Sequence, residues 1–198
     1  MDEGGSKTIL SLCDYSGNWP AFYTAEDGYE VIKIDLKHGG DVRMLPHLGK
    51  KIHGVLAAPP CTAFAGSGAQ YWPAKDEDGR TLEGISIVDA CLRAVAIYRP
   101  KWWALENPVG RLRRWLGAPL FSFNPCDFGG WGDEKDAYTK KTLLWGDFNP
   151  PEKRPVEPVK VCAQGSWLQK LGGSSERTKE LRSMTPLGFA RAFREANP

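Results

Sequence analysis

The stretch His53-Gly54-Val55-Leu56-Ala57-Ala58-Pro59-Pro60-Cys61-Thr62-Ala63-Phe64 constrains the fold more than any other part of this chain. Its apolar run is too short for a helix and breaks at consecutive prolines, so it reads as a buried parallel strand that stops abruptly. Neither proline can donate an N–H to a ladder and both have a fixed φ. Cys61 is therefore set on a stiff turn at the lip of the strand, where open α/β sheets place their chemistry. Such stiffness suits a nucleophile; a small buried hydrophobe is the alternative reading of the same thiol.

The rest of the composition narrows the setting. A chain of 198 residues fills one domain, taken as 1–198. Five scattered cysteines, an odd number without a Cys-x-x-Cys pair, exclude a disulfide framework and a zinc ribbon and indicate a reducing compartment. His38, His47 and His53 lack metal-ligand spacing, so no metal is expected. No apolar run reaches membrane-spanning length, and Met1 to Ser6 has no secretion-signal character, so a soluble, cytoplasmic protein without membrane contact is expected. The net charge of +2 names no partner, but from Lys140 onward eleven Lys and Arg face six Asp and Glu, a bias compatible with phosphate contact.

Read in order, Thr8 to Cys13 is a first strand, followed by the polar turn Asp14-Tyr15-Ser16-Gly17-Asn18 and an amphipathic stretch, Trp19 to Asp27, read as helix. Strand, glycine turn and helix make the first unit of a doubly wound sheet and aim backbone N–H groups at a ligand. Gly28 to Asp35 is a second strand ending in an acid about twenty residues on, where a carboxylate can accept from both hydroxyls of a ribose. Asp41 either caps a short helix or makes a second contact to an adenosine. Gly66 to Arg80 reads as a long loop of the kind that forms lids. Thr81 to Tyr98 is a crossover helix with Cys91 on its core face, and Trp102 to Leu105 a strand delivering Glu106-Asn107-Pro108. That topology makes Cys61 and Glu106 neighbours across the top of the sheet. Val109 to Leu116 is a short basic helix with Arg111, Arg113 and Arg114. Phe121 to Phe128 and Thr142 to Trp145 read as strands flanking the loop Gly129 to Lys141, Asn149 to Pro158 as irregular, and Arg182 to Phe193 as a helix started by Thr185 and Pro186.

This order of motifs resembles the cytosine-C5 DNA methyltransferases, in particular short phage-encoded forms. The resemblance implies a Rossmann-like, doubly wound, mostly parallel sheet of the S-adenosylmethionine-dependent methyltransferase type. Cys13 to Gly17 stands where the family has its Phe-x-Gly-x-Gly cofactor loop, with Cys13 for the phenylalanine and Tyr15 for the first glycine. By that resemblance Asp14, Tyr15, Ser16, Gly17, Asp35, Asp41, Val42 and Pro59 are expected to hold S-adenosylmethionine. Pro59 to Gly68 resembles the Pro-Cys nucleophile loop, and Glu106-Asn107-Pro108 the Glu-Asn-hydrophobic motif, with Phe128-Gly129 for the family's Tyr-Gly. Cys61 and Glu106 are then the catalytic pair, and Pro60, Ser67, Asn107, Arg111, Lys140 and Lys141 the residues expected against the substrate. Tyr138 to Thr142 replaces the family's Gln-x-Arg-x-Arg, with Lys141 at the place of the second arginine. Residues 147–181 are too few for a target-recognition domain, so short or relaxed sequence specificity is expected, or a homodimer or separate subunit that supplies it. The implied partner is DNA with a flipped cytosine, in a host cytoplasm if the gene is a phage's. A free cytosine nucleotide or single-stranded DNA as substrate, and a non-catalytic cofactor-binding partner protein, are the rival readings.

Overall fold

The structure, a computed structural model, describes residues 5–132, 134–161, 163, 165, 167–171 and 175–198. Residues 1–4 of the opening segment, 133 of the Gly129 to Lys141 loop, and 162, 164, 166 and 172–174 within 147–181 lie outside the described residues.

Six strands, β1 (Lys7–Leu12), β2 (Tyr29–Ile34), β3 (Ile52–Ala57), β4 (Trp102–Pro108), β5 (Phe121–Phe123) and β6 (Thr142–Asp147), form one sheet in the order β2-β1-β3-β4-β6-β5. The first four run parallel, and β6 enters antiparallel between β4 and β5. In the parallel part Leu12 lies opposite both Ile34 and Ala57, and Ala57 opposite Leu105, so the strands end together at one edge. The sheet is thus α/β and mostly parallel, as expected.

Alternation along the strands fills two cores. Leu10, Leu12, Val55, Ala57 and Leu105 pack on one face against α2 (Arg80–Tyr98), where Val88, Cys91 and Ala94 are buried. Ile9, Leu56, Trp102 and Ala104 pack on the other against Trp19, Tyr23, Phe128 and the aromatics of the last helix, Leu187–Ala196. On that face Phe123 and Phe189 stack at 4.1 Å between ring centres.

Several local expectations are corrected. Trp19 to Asp27 holds only a one-turn 3-10 helix, Trp19–Phe22, because Trp19 and Tyr23 are buried by tertiary packing and Thr24 turns the chain by hydrogen bonding to Asp27. Gly66 to Arg80 is no structureless lid: a 3-10 segment, Gly66–Tyr71, runs into α1 (Trp72–Glu77). The basic helix shortens to α3 (Arg113–Leu116), and the Phe121 to Phe128 strand stops at Phe123, where Asn124 and Asp127 cap a 3-10 turn, Pro125–Trp131. After α4 (Trp167–Lys170), Arg182 and Ser183 end a separate helix, α5 (Glu176–Ser183), and α6 starts at Leu187. Thr185 does not cap it. Asp136, far away in the chain, accepts from the Gly188 N–H at 2.7 Å instead, and phenylalanine backbone presses so close to Gly188 that a Cβ there would sit 2.4 Å from the Phe128 carbonyl oxygen. Among the described residues no helix is long and apolar enough to cross a membrane.

Asp136→Ala removes this remote cap and should lower stability by about 1–2 kcal/mol, read as a reduced chemical-denaturation midpoint; an unchanged midpoint would show that α6 holds its start without it.

Candidate functional site

The loops leaving β1 and β3 part in opposite directions along the sheet, which makes a crevice at their shared C-terminal edge. The β1 side is built by its own turn. Cys13 adopts a left-handed conformation (φ 60°) and donates its N–H to Ile34 at 2.8 Å. Asp14, buried, accepts from Ser16 Oγ at 2.6 Å, from the Gly17 N–H at 3.0 Å and from the Trp19 N–H at 3.1 Å. Its carboxylate therefore shapes the loop, a correction to its expected place against a cofactor, and Ser16 is engaged with it. Gly17 has the positive φ (67°) that the turn demands.

Next to this turn, Asp35 leaves β2 in extended conformation; one carboxylate oxygen accepts from the Lys37 N–H at 2.8 Å. Asp41 does cap a short 3-10 turn, accepting from the Arg43 N–H at 2.9 Å, but it also clasps the Arg43 guanidinium at 2.7 Å, which holds its carboxyl below the usual range. Val42 is buried under α2, so its side chain is core. Tyr15 is exposed and stacks on His38 at 5.3 Å, with the Lys37 ammonium 4.4 Å from its ring.

On the β3 side, Pro59 is buried and Pro60 exposed, and Cys61 opens a single 3-10 turn, Cys61–Ala63. The turn is stitched to the segment after β4. Asn107, wholly buried, donates its amide to the Pro59 carbonyl at 2.9 Å; Gly66 N–H donates to Val109 at 2.9 Å and Arg111 N–H to Phe64 at 2.9 Å. A Cβ on Gly110 would lie 2.0 Å from the Phe64 carbonyl oxygen, so only glycine allows this approach. Arg111 is not available to a substrate. Its guanidinium, 2% exposed, donates to Ala63 O at 2.9 Å and Thr81 Oγ1 at 2.6 Å and pairs with Asp76 at 2.8 Å. Lys75 adds a bond to Thr62 O at 2.7 Å. Ser67 is exposed on the 3-10 segment that follows.

Alternation in β4 puts Glu106 on the face of Trp102 and Ala104, and β6 pairs it with Leu144. Burial pushes the Glu106 carboxyl up, the Asp14 charge adds to this, and the Lys140 ammonium opposes it. Burial likewise raises the Cys61 thiol; the Glu106 charge raises it further, and Lys140 and Lys75 pull it down. Cys61 and Glu106 are thus electrostatically coupled, and a proton on Glu106 favours a thiolate on Cys61. Lys140, not Lys141, is the cation that reaches both; it is anchored by donating to the Arg182 carbonyl at 2.7 Å, while Lys141 is exposed. Asp76 and Thr81 carry no signal for this role in the sequence because their partner, Arg111, lies 30 or more residues away, and Lys75 carries none because it reaches back across the turn to the Thr62 carbonyl.

The residue types on the β1–β2 side are compatible with a nucleoside-type cofactor: a carboxylate, Asp35, follows β2, and the turn after β1 holds Gly17 and the exposed Tyr15. No protein-family profile and no curated protein sequence matches the chain. One solved structure, from a prophage of E. coli and provisionally described as a DNA modification methyltransferase, is 15% identical with a TM-score of 0.46, over 77% of this chain and 53% of that one. This chain therefore spans about half the length of that structure.

Two outcomes are expected. Arg111→Ala leaves buried acceptors without a donor and should cost about 3 kcal/mol, with Arg111→Lys recovering only part, both read by denaturant unfolding; an Arg111→Ala chain as stable as the parent would remove the clamp. Because the folded Glu106 pKa lies above its unfolded value, its favourable contribution is complete below the ordinary glutamate range and is lost as pH rises through the folded value. Glu106→Gln should therefore stabilise the protein at neutral pH, with the gain vanishing in acid; a gain that persists at low pH would contradict the raised carboxyl.

Proposed function

We propose that this chain methylates C5 of cytosine in DNA, using S-adenosylmethionine as donor. The observation that carries the reading is the placement of Cys61, on its clamped turn after β3, and of half-buried Glu106 on the adjacent strand β4, where desolvation raises both the thiol and the carboxyl. C5 of cytosine is a weak nucleophile until electrons are pushed into the ring, and a thiolate adding to C6 does so. Cys61 supplies that thiolate. As the S–C6 bond forms, charge builds towards N3, where a protonated Glu106 donates its proton, a task suited to a carboxyl with a raised pKa; once C5 carries the methyl group, loss of the C5 proton to a base breaks the S–C6 bond, releases the Cys61 thiolate and lets N3 return its proton to Glu106. Loss of the Glu106 charge is also what Cys61 needs. Lys140 supplies a fixed positive charge towards both groups. The stiffness of the Pro59-Pro60 turn and of the Asn107 bond keeps the sulfur where the base must arrive.

Asp35 and the Gly17 turn would hold the cofactor, with Tyr15 at its border; when bound, it supplies a methyl group on a positively charged sulfur. Asp14 acts by shaping that turn. In a stacked helix neither C6 nor N3 is reachable, so the cytosine must leave the stack. The whole chain, 1–198, acts as one catalytic domain, with the 147–181 segment where a larger enzyme of this kind would carry its recognition region.

Incubation with labelled S-adenosylmethionine and DNA, followed by nucleoside mass spectrometry, should give 5-methylcytosine. Cys61→Ser should abolish turnover while cofactor affinity, measured calorimetrically, stays nearly constant, and Asp35→Ala should weaken that affinity about tenfold or more, the loss of a charge-assisted hydrogen bond. Methylation by Cys61→Ser would rule out the covalent route.

A further inference from the structure

The outer side of the Arg111 clamp carries a surface that the chemistry above does not use. Tyr71 is 57% and Trp115 45% exposed, and Trp72, next to Tyr71 in the chain, is partly buried. Arg111 joins Trp72 to Trp115, its guanidinium 5.0 Å from the Trp72 ring and 5.9 Å from the Trp115 ring. Trp115 rests edge-on against Phe64 at 5.8 Å, so its indole is held from beneath while its outer side meets solvent. The Trp72 indole N–H is buried and has no hydrogen-bond partner among the described residues.

Most of the free charge around these rings is positive. Asp76 is taken by Arg111 and Asp78 by Arg80, whereas Arg113 and Arg114 make no ion pair among the described residues, and Glu77 is the exposed acid between them. Arg114 lies 5.6 Å from the Trp72 ring, and Lys75 5.9 Å from Tyr71. Exposed aromatic faces interleaved with unpaired cations are what an unpaired polynucleotide needs: rings for its bases and cations for its phosphates. A duplex offers only base edges and backbone, and leaves such rings without a partner.

We propose that this Tyr71–Trp115 surface binds single-stranded DNA, stacking bases that flank the reacting cytosine. The proposal rests on the methyltransferase reading for its substrate and adds the form in which that substrate is taken. Phe64, under Trp115, belongs to the same loop as Cys61, so a base stacked on Trp115 neighbours the nucleotide entering the site. A single strand also spares much of the cost of extracting a base from a duplex.

The test is fluorescence anisotropy with a short labelled single strand and the same sequence as a duplex, at several salt concentrations and without methyl donor. The parent chain should bind the single strand more tightly. Trp115→Ala should weaken that binding roughly tenfold or more, the scale of one base–aromatic stack, with Trp115→Phe recovering most of it. Tyr71→Ala, at a more exposed ring, should weaken it in the same direction and keeps the test decisive if Trp115→Ala loosens the fold. Arg113→Gln with Arg114→Gln should reduce the salt dependence. Equal or tighter binding of the duplex, or affinity unchanged in both aromatic variants, overturns the proposal. Trp115-dependent binding with no methyl transfer to any DNA overturns the chemistry and supports the surface; methyl transfer with aromatic-independent binding overturns the surface alone.

Discussion

A guanidinium removed from water must find acceptors on every side, and in this protein Arg111 finds them on three separate segments. It holds the carbonyl of Ala63 in the cysteine turn, the carboxylate of Asp76 in α1 and the hydroxyl of Thr81 at the start of α2, between the rings of Trp72 and Trp115. The cysteine turn and α1 are short, whereas α2 is held by its own core face, so the guanidinium fastens the two short pieces to the start of a long, packed helix. The charge does what a core cannot do at the rim of a sheet. Gly110, where no side chain fits, lets the two backbones meet so that this clamp can close.

From that clamp the electrostatics follow. Burial raises both Cys61 and Glu106, and the Glu106 charge raises the thiol further, so Cys61 ionises more easily when Glu106 is neutral. Lys140 tempers both, and its own position depends on the Arg182 carbonyl at the end of α5. The same helix pairs Glu180 with Lys37, beside the Tyr15–His38 stack. One helix thus touches both halves of the crevice, the side that would take a cofactor and the side that holds the thiol.

Much of this was legible in the chain because it rests on local chemistry. Short apolar runs ended by glycine, proline or an acid marked β1 to β4, and their ends were read to within a few residues. Two prolines placed Cys61 on a stiff turn without any knowledge of its neighbours. The misread parts are those whose conformation is imposed from outside. Trp19 to Asp27 has helical spacing, yet its aromatics are claimed by α6 and only one turn forms. Arg111 is expected against the substrate because nothing near it in sequence is its partner, and the structure buries it in a clamp instead. Asp14 is expected against a ligand, but a carboxylate next to a free N–H binds that first; of the two readings of Asp41, the structure shows the cap of a short helix.

The sequence by itself determined the parallel sheet, the crossover helix and the pairing of a cysteine with a glutamate at neighbouring strand ends, because strand period, breaker residues and connection length are written locally. Only the tertiary structure decided which charges are buried and which are free: that Arg111 is a clamp, that Lys140 rather than Lys141 faces the acid, and that Asp136 starts a helix 50 residues away. Those outcomes depend on desolvation and on partners distant in the chain, quantities that no local pattern carries.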